Sequence, residues 1–369
     1  MLPMVMVAGA GKMGSLVALL LAHSGRYRVL LVDKDFAIQD SHALSLDVLR
    51  KITLDLNNNA ATAKLMREHQ VIGVITCLPF FMNRKVADCA KQVGIHYIDL
   101  TEDNETADYI KTLAQDSHSI FMPRCGLAPG WTGIIAKNRT HDFETVHSVQ
   151  IRTGGLPAYS NHPLQYALTW STDGLINEYI KPCQAIVNGQ LMSKVALGDL
   201  EPMQLDGTHY EAFNTSGGLG NLVDLLLGQV KELDYKSIRY PGHAVLMRFL
   251  LQDLCLDESP DLLKHILEHA LPKSYDDVVI LYVVVTGMRQ GELVSESYAQ
   301  KYYPANIAGI KWSAMQVTTA SAVCACADEV WSHPERYSSG YLAVETLPMQ
   351  AILANTFGQR LQGVDHGAH

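Results

Sequence analysis

The chain has no excess of positive charge, no CxxC pair of cysteines and no long unbroken apolar run. Its 29 Lys and Arg stand against 38 Asp and Glu, for a formal net charge of -9. Binding to a phosphate backbone calls for clustered cations, so no nucleic-acid partner is expected. The seven cysteines, Cys77, Cys89, Cys125, Cys183, Cys255, Cys324 and Cys326, are irregularly spaced and contain no CxxC pair. Reduced thiols and a cytoplasmic location are therefore expected. Cys324 and Cys326 lie two apart in a helical stretch and point to different faces. His265 and His269 are four apart but lack the Glu of an HExxH motif, so no metal site is expected. The apolar N-terminal stretch is broken by glycines, which reads as a sheet strand and neither a secretory signal nor a membrane span. Internal repeats and low-complexity segments are missing too. What remains, 48% hydrophobic and 18% charged residues over 369 positions, is the composition of a globular enzyme with room for two domains.

What is present begins at residue 5. An apolar strand, Val5-Met6-Val7-Ala8, runs into Gly9-Ala10-Gly11-Lys12-Met13-Gly14, and a second apolar strand, 28–32, ends on Asp33. This order is a dinucleotide-binding unit. Gly9 permits the tight turn, Gly11 admits a pyrophosphate close to the backbone, and Gly14 lets the helix at 12–23 pack on the sheet. The helix N-terminus supplies amide donors and the positive end of its dipole. Asp33, roughly 20 residues past the glycines, is placed to accept from an adenosine ribose, which predicts NAD as the cofactor with NADP as the alternative.

Strands at 71–76, 96–100 and 120–123 alternate with helical patterns at 84–93 and 106–117, the grammar of a parallel, doubly wound Rossmann sheet. A short strand at 52–54 ends on Asp55, at the adenine edge of such sites. From Gly126 the pattern changes to long β-rich runs at 146–153, 209–215, 278–286 and 293–303, with helices expected at 163–178 and 219–231. An α+β second domain with a mixed, mostly antiparallel sheet follows. The small-residue helix at 313–330 is expected to return to the first domain. The cofactor domain is thus expected to be discontinuous, 1–125 with 310–369, around a substrate-binding and dimerisation domain at 126–309. The tail after Val364 is expected to fray.

Several phrases resemble one family. Arg124-Cys125-Gly126-Leu127-Ala128-Pro129-Gly130 resembles the GLxPG junction of saccharopine dehydrogenases and their relatives. Gly154-Gly155-Leu156-Pro157, Leu168-Thr169-Trp170-Ser171 with 174–179, Glu211-Ala212-Phe213-Asn214-Thr215 and Arg239-Tyr240-Pro241-Gly242-His243 resemble the lysine 6-dehydrogenase branch. The likeness spans about residues 5–330. The stretch at 217–222 departs from it, being richer in glycine than its counterpart in lysine dehydrogenases. The resemblance implies an NAD(P)-dependent amino acid dehydrogenase that oxidises a C–N bond of a lysine-like or saccharopine-like amine, and a homodimer built on the second domain's sheet. Two alternatives stand beside it, a reductive imine-forming enzyme of the carboxynorspermidine dehydrogenase type and a non-catalytic nucleotide sensor.

Such chemistry needs a neutral amine, hence a base, and a fork of donors for a carboxylate. Arg239 is the candidate carboxylate clamp, and His209 and His243 are the candidate bases because imidazole titrates near working pH. Asp99 closes its strand at the carboxyl edge of the sheet and is the candidate ammonium or nicotinamide-side residue. Cys125 is a candidate active-site wall rather than a nucleophile, since hydride transfer has no place for a thiolate. Cys77, Leu78 and Pro79 follow the fourth strand and are expected to pass over the cofactor, mostly through their backbone.

Overall fold

The computed structural model describes residues 2–36 and 47–362, so the tail after Val364 lies outside the described residues. The chain forms two compact units. The first runs to Trp131 and adds Asn306–Ile310 and Gln316–Gln362; the second takes Thr132–Ala305 and Lys311–Met315. The first boundary therefore falls after Trp131, several residues beyond the expected one at 125. The reason is local: Gly126 and Gly130 bridge one another and the Trp131 amide donates to the Gly126 carbonyl, so the GLAPG turn closes on itself within the first unit.

In the first unit the strands are β1 (Met4–Ala8), β2 (Arg28–Asp33), β3 (Leu49–Thr53), β4 (Val71–Thr76), β5 (His96–Asp99) and β6 (Ile120–Met122). With the edge pair Gly340–Tyr341 they form one parallel sheet, in the order Gly340–Tyr341, β6, β5, β4, β1, β2, β3. The central strands are apolar along their length because both faces are covered. Val5, Met6 and Val7 of β1 are fully buried, each contributing roughly 1.5–3 kcal/mol of apolar burial. Helices α1 (Lys12–His23), α2 (Asn59–Glu68), α3 (Phe80–Val93) and α4 (Asn104–Leu113) connect them. Their ends follow sequence signals: Asn58 accepts from the Ala61 amide, Asp103 accepts from the Thr106 amide, and Gly94 ends α3 in the left-handed region at φ 80°. The strand order reverses between β1 and β4, and at such a switch point open α/β sheets bind their ligands beyond the strand carboxyl ends.

The second unit opens in α5 (Trp131–Thr140) and is built on β7 (Thr145–Pro157), β8 (Cys183–Val187), β9 (Gln190–Lys194), β10 (Glu201–Leu205), β11 (Thr208–Asn214), β12 (Glu232–Arg239), β13 (Asp277–Arg289) and β14 (Glu292–Tyr302). Its sheet runs β10-β11-β12-β7-β13-β14, with β8 and β9 added beside β12. Among the described residues only β12 and β7 pair in parallel in this sheet; the other ladders are antiparallel, so the sheet is mixed and mostly antiparallel, as expected. Helices α6 (Thr172–Ile180), α7 (Leu222–Leu226), α8 (His243–Arg248) and α9 (Pro260–Ala270) complete it. Two expected helices are shorter than read. The stretch 163–171 is irregular because Gln165 adopts φ 49° and the Leu168 amide donates to the Pro272 carbonyl. Ser171 then starts the helix by accepting from the Gly174 amide. The helix expected over 219–231 shrinks to α7, and Gly228 in the left-handed region follows it.

The last long helix, α10 (Ala314–Ser332), returns to the first unit from Gln316 onward. Its small residues, including Ala322, Val323, Cys324, Ala325 and Cys326, are all buried. Among the described residues no helix is long and apolar enough to cross a membrane.

Candidate active site

The glycine turn in the first unit is shaped by two opposite requirements. Gly9 adopts φ 100°, and a β-carbon on Gly14 would stand 1.8 Å from the Gly9 carbonyl oxygen, so neither position admits a side chain. Gly11 has an ordinary φ of -73°, and a β-carbon there would meet nothing within 4 Å. Neither backbone nor packing demands glycine at Gly11, and the space before it is open to a ligand. The Ala10 amide donates to Asp33 Oδ2 at 2.6 Å, and Asp33 Oδ1 accepts from the Lys34 amide at 2.6 Å. The carboxylate is thereby fixed, half-buried, at the end of β2. Lys12 and Met13 open α1, and the Lys12 carbonyl accepts from Gln316 Nε2 at 3.0 Å. The turn, the fixed Asp33 and the open space before Gly11 fit a dinucleotide.

The Cys77 amide donates to the Ala8 carbonyl at 2.8 Å and the Cys77 carbonyl lies against Gly9, which brings 77–79 beside the glycine turn. Burial pushes the Cys77 thiol up to about 12, so it stays protonated. Leu78 packs on the core and Pro79 caps α3. Asp55 is exposed, and its carboxylate accepts from the Asn57 amide and side chain at 3.0 Å, holding the turn before α2.

Asp99 is placed differently from the expectation. It is sealed from solvent and accepts from Tyr97 at 2.8 Å, the Thr101 amide at 2.9 Å, the Arg124 amide at 3.0 Å and Asn83 at 3.5 Å. Burial raises its pKa while these donors oppose the rise. Asp99 is thus a hub tying β5 to the segment after β6, with no oxygen left facing an ammonium ion. Cys125 is likewise buried, donating to the Met122 carbonyl at 3.1 Å, and burial raises its thiol well above the ordinary range. It packs as a small hydrophobe.

In the second unit four of the family-like phrases converge. Cross-strand register puts Glu211 beside Arg239, Phe213 beside Ser237 and Thr153 beside Ser237, so these side chains share one face of the sheet. Gly154 lies so close to the backbone of Ile238 that a β-carbon would stand 2.2 Å from its carbonyl oxygen. Arg239 ends β12 and is buried at 3% exposure. Its Nε donates to the Tyr179 hydroxyl at 3.0 Å and Nη1 donates to the Ile238 carbonyl at 2.8 Å. The guanidinium carbon sits 5.0 Å from the ring centre of Tyr166. The other buried cations of this unit, Arg152 and Lys236, pair with Glu201, and Arg152 also with Asp234. Among the described residues Arg239 has no carboxylate partner. The buried Glu178 acts on its charge through space without an ion pair to it, and a guanidinium held this deep gains from a bound anion.

The two candidate bases, His243 and His209, stand in different surroundings. His243 is buried, with Nδ1 at 2.7 Å from the Leu164 carbonyl and Nε2 at 3.0 Å from the Tyr179 hydroxyl. Burial, reinforced by the Arg239 charge, pushes it down to about 3, so it is neutral at working pH. A neutral ring already bonded at both nitrogens shuttles no proton to a ligand. His209 is exposed near the start of β11. Two further residues of the family-like phrases hold this cluster: the Tyr179 hydroxyl lies between Arg239 and His243, and the Glu211 carboxylate accepts from the Gly242 and Ala244 amides at 2.8 and 2.7 Å and so pins the turn that carries His243. Among the described residues no cluster of three or more His, Cys, Asp or Glu is placed to hold a metal ion.

Two family models match the chain. The model of the saccharopine dehydrogenase NADP binding domain matches residues 5–120, and that of the saccharopine dehydrogenase C-terminal domain matches residues 126–364. The chain is 29% identical over 152 residues to a saccharopine dehydrogenase [NADP(+), L-glutamate-forming] of Schizosaccharomyces pombe, covering 39% of this chain and 33% of that protein. It is 21% identical over 251 residues to the mitochondrial alpha-aminoadipic semialdehyde synthase of Mus musculus, covering 65% of this chain and 27% of that one. The chain thus matches a third or less of the length of these curated relatives. The structure of apo saccharopine dehydrogenase (L-Glu forming) from Saccharomyces cerevisiae superposes with a TM-score of 0.75 at 16% identity, covering 95% of this chain and 96% of that one, a likeness of fold.

Proposed function

This chain belongs to the saccharopine dehydrogenase family, and on that premise we propose that it is an amino acid dehydrogenase oxidising a C–N bond with a nicotinamide dinucleotide. The observation that carries the reading is Arg239, a buried guanidinium with no carboxylate partner among the described residues. A planar fork in that state is suited to the carboxylate of an amino acid. Among the described residues it is the one buried Arg or Lys of the second unit that makes no ion pair, which favours a substrate with one carboxylate, lysine-like, over saccharopine with three.

The nicotinamide, when bound, supplies the hydride acceptor. The chain's own residues would do the rest: Gly9, Gly11 and Gly14 admit the pyrophosphate, Asp33 takes the ribose, and Arg239 holds the carboxylate. Loss of hydride from the carbon of the neutral amine leaves a protonated imine; with a lysine-like substrate, water converts it to an aldehyde with release of ammonium, or the α-amine displaces ammonia and closes a six-membered cyclic imine. For the dinucleotide we favour NAD, because the fixed Asp33 carboxylate would repel a 2′-phosphate. The names of the matched domain and of the S. pombe relative point to NADP instead.

The experiment is reduction of NAD and NADP with lysine, saccharopine and 1,5-diaminopentane, followed by mass analysis of the product. Turnover of lysine with a cyclic imine product is the expected result. Turnover of saccharopine tenfold or more above lysine, with glutamate released, would move the substrate to saccharopine; inactivity with all three would favour the reductive, carboxynorspermidine-like reaction.

A further inference from the structure

We propose that Tyr179 and His243 are positioning residues that aim Arg239 end-on at the substrate carboxylate, and that this makes the site select an amino acid over the amine lacking that carboxylate. The proposal rests on Arg239 being the carboxylate anchor.

The Leu164 carbonyl fixes the tautomer of His243. A carbonyl oxygen only accepts, so Nδ1 of His243, 2.7 Å away, carries the ring proton. The ring is neutral, so its Nε2 offers a lone pair, and the Tyr179 hydroxyl at 3.0 Å must donate to it. The phenol oxygen then has only its lone pairs left, and it accepts the Nε–H of Arg239 at 3.0 Å. The chain of bonds from Arg239 through Tyr179 and His243 to Leu164 therefore has a single polarity. No member can reverse without leaving a buried donor facing a donor.

This polarity decides how Arg239 can meet an anion. A guanidinium binds a carboxylate bidentately either side-on, through Nε and one Nη, or end-on, through both Nη atoms. Nε is committed to Tyr179, so the side-on fork is closed. One N–H of Nη1 goes to the Ile238 carbonyl at 2.8 Å, which leaves its second N–H and Nη2 for the end-on fork. Packing holds the relay still. Tyr179 meets the His243 ring edge-on at 5.8 Å, Phe213 stacks on His243 at 6.2 Å, and the Arg239 guanidinium lies 5.0 Å from the ring of Tyr166. The Glu211 carboxylate pins the turn on which His243 enters α8.

The test is the ratio of kcat/KM for lysine to that for 1,5-diaminopentane, measured in the full chain for the wild type, Tyr179→Phe, His243→Phe and His243→Gln. Tyr179→Phe frees Nε, and the ratio is expected to fall at least tenfold, the loss appearing in KM for lysine. His243→Phe is expected to follow it, whereas His243→Gln, whose side-chain carbonyl can accept from Tyr179, should keep most of the preference. Melting temperature and KM for the dinucleotide separate a folding defect from a change of aim. Equal losses on both substrates, or an unchanged ratio in Tyr179→Phe, would overturn the proposal while leaving Arg239 as the anchor. A wild type with no preference for lysine over the diamine would overturn the anchor reading and this proposal together.

Discussion

Gly14 packs on Gly9 so closely that the Gly9 carbonyl oxygen occupies the space of a residue-14 side chain, 1.8 Å from where the β-carbon would be. Gly11, between them, faces open space. Two substitutions in one turn should therefore fail in different ways. Gly14→Ala is expected to lower the melting temperature and abolish dinucleotide binding together. Gly11→Ala is expected to cost about 1 kcal/mol or less in stability, the range for losing glycine at a helix N-cap, yet to weaken NADH binding at least tenfold. Thermal melts beside a fluorescence titration with NADH distinguish them. Equal loss of stability at both positions would remove Gly11 from the binding surface.

Asp33→Asn keeps an oxygen for the Ala10 amide and removes the charge. The ratio of kcat/KM for NADP to that for NAD is expected to rise at least tenfold, because a neutral amide no longer repels a 2′-phosphate. A wild type already preferring NADP tenfold would show that Asp33 does not decide the cofactor.

Arg239→Lys places a compact ammonium where a planar fork is needed. It should reduce kcat/KM for the amino acid by roughly 1.5–3 kcal/mol, the range for a hydrogen bond to a charged group, with little change in KM for the dinucleotide. Equal losses of substrate use, cofactor affinity and melting temperature would make Arg239 a packing residue instead.

Asp277 starts β13 fully buried, and its carboxylate accepts from the Ala314 and Met315 amides at the start of α10. Burial pushes it up to about 6 from 3.8, against the pull of those two amides. The folded state then holds the proton more tightly than the unfolded chain. This group's stabilising contribution is fully present below about pH 4, falls as pH rises to about 6, and is flat above. The difference in unfolding free energy between wild type and Asp277→Asn, followed by urea denaturation, should change across pH 4–6 and stay constant across pH 7–8. A difference independent of pH over the whole range would place the Asp277 pKa at its ordinary value.

Thr169 lies at 3% exposure, and its hydroxyl has no hydrogen-bond partner among the described residues. Valine has nearly the same shape without the hydroxyl, so Thr169→Val should stabilise the protein by about 1 kcal/mol, the lower end of the cost of an unsatisfied buried polar group. The urea midpoint should rise at unchanged m-value. Destabilisation would mean that the hydroxyl is satisfied by bound water.

The parts of this protein that depend on neighbours in the chain were legible in its residues alone. A strand, three glycines at fixed spacing, a helix and an acidic residue make the dinucleotide turn wherever they occur, because the turn's steric demands fall on residues 9 to 14 alone. Alternation of apolar strands with helices likewise made the parallel sheet legible, and the RYPGH phrase marked Arg239. What the tertiary structure decided is which polar groups are free to act. His243 looked like a base until Leu164, 79 residues away, and Tyr179, 64 residues away, took its two nitrogens. Asp99 looked like a ligand contact until the Arg124 amide and Asn83 were folded onto it. Residues 163–171 carried a helical pattern, yet the carbonyl of Pro272 took the Leu168 amide. Protonation and hydrogen-bond roles follow from burial and from partners brought together across the chain, and neither is encoded in the spacing of nearby residues.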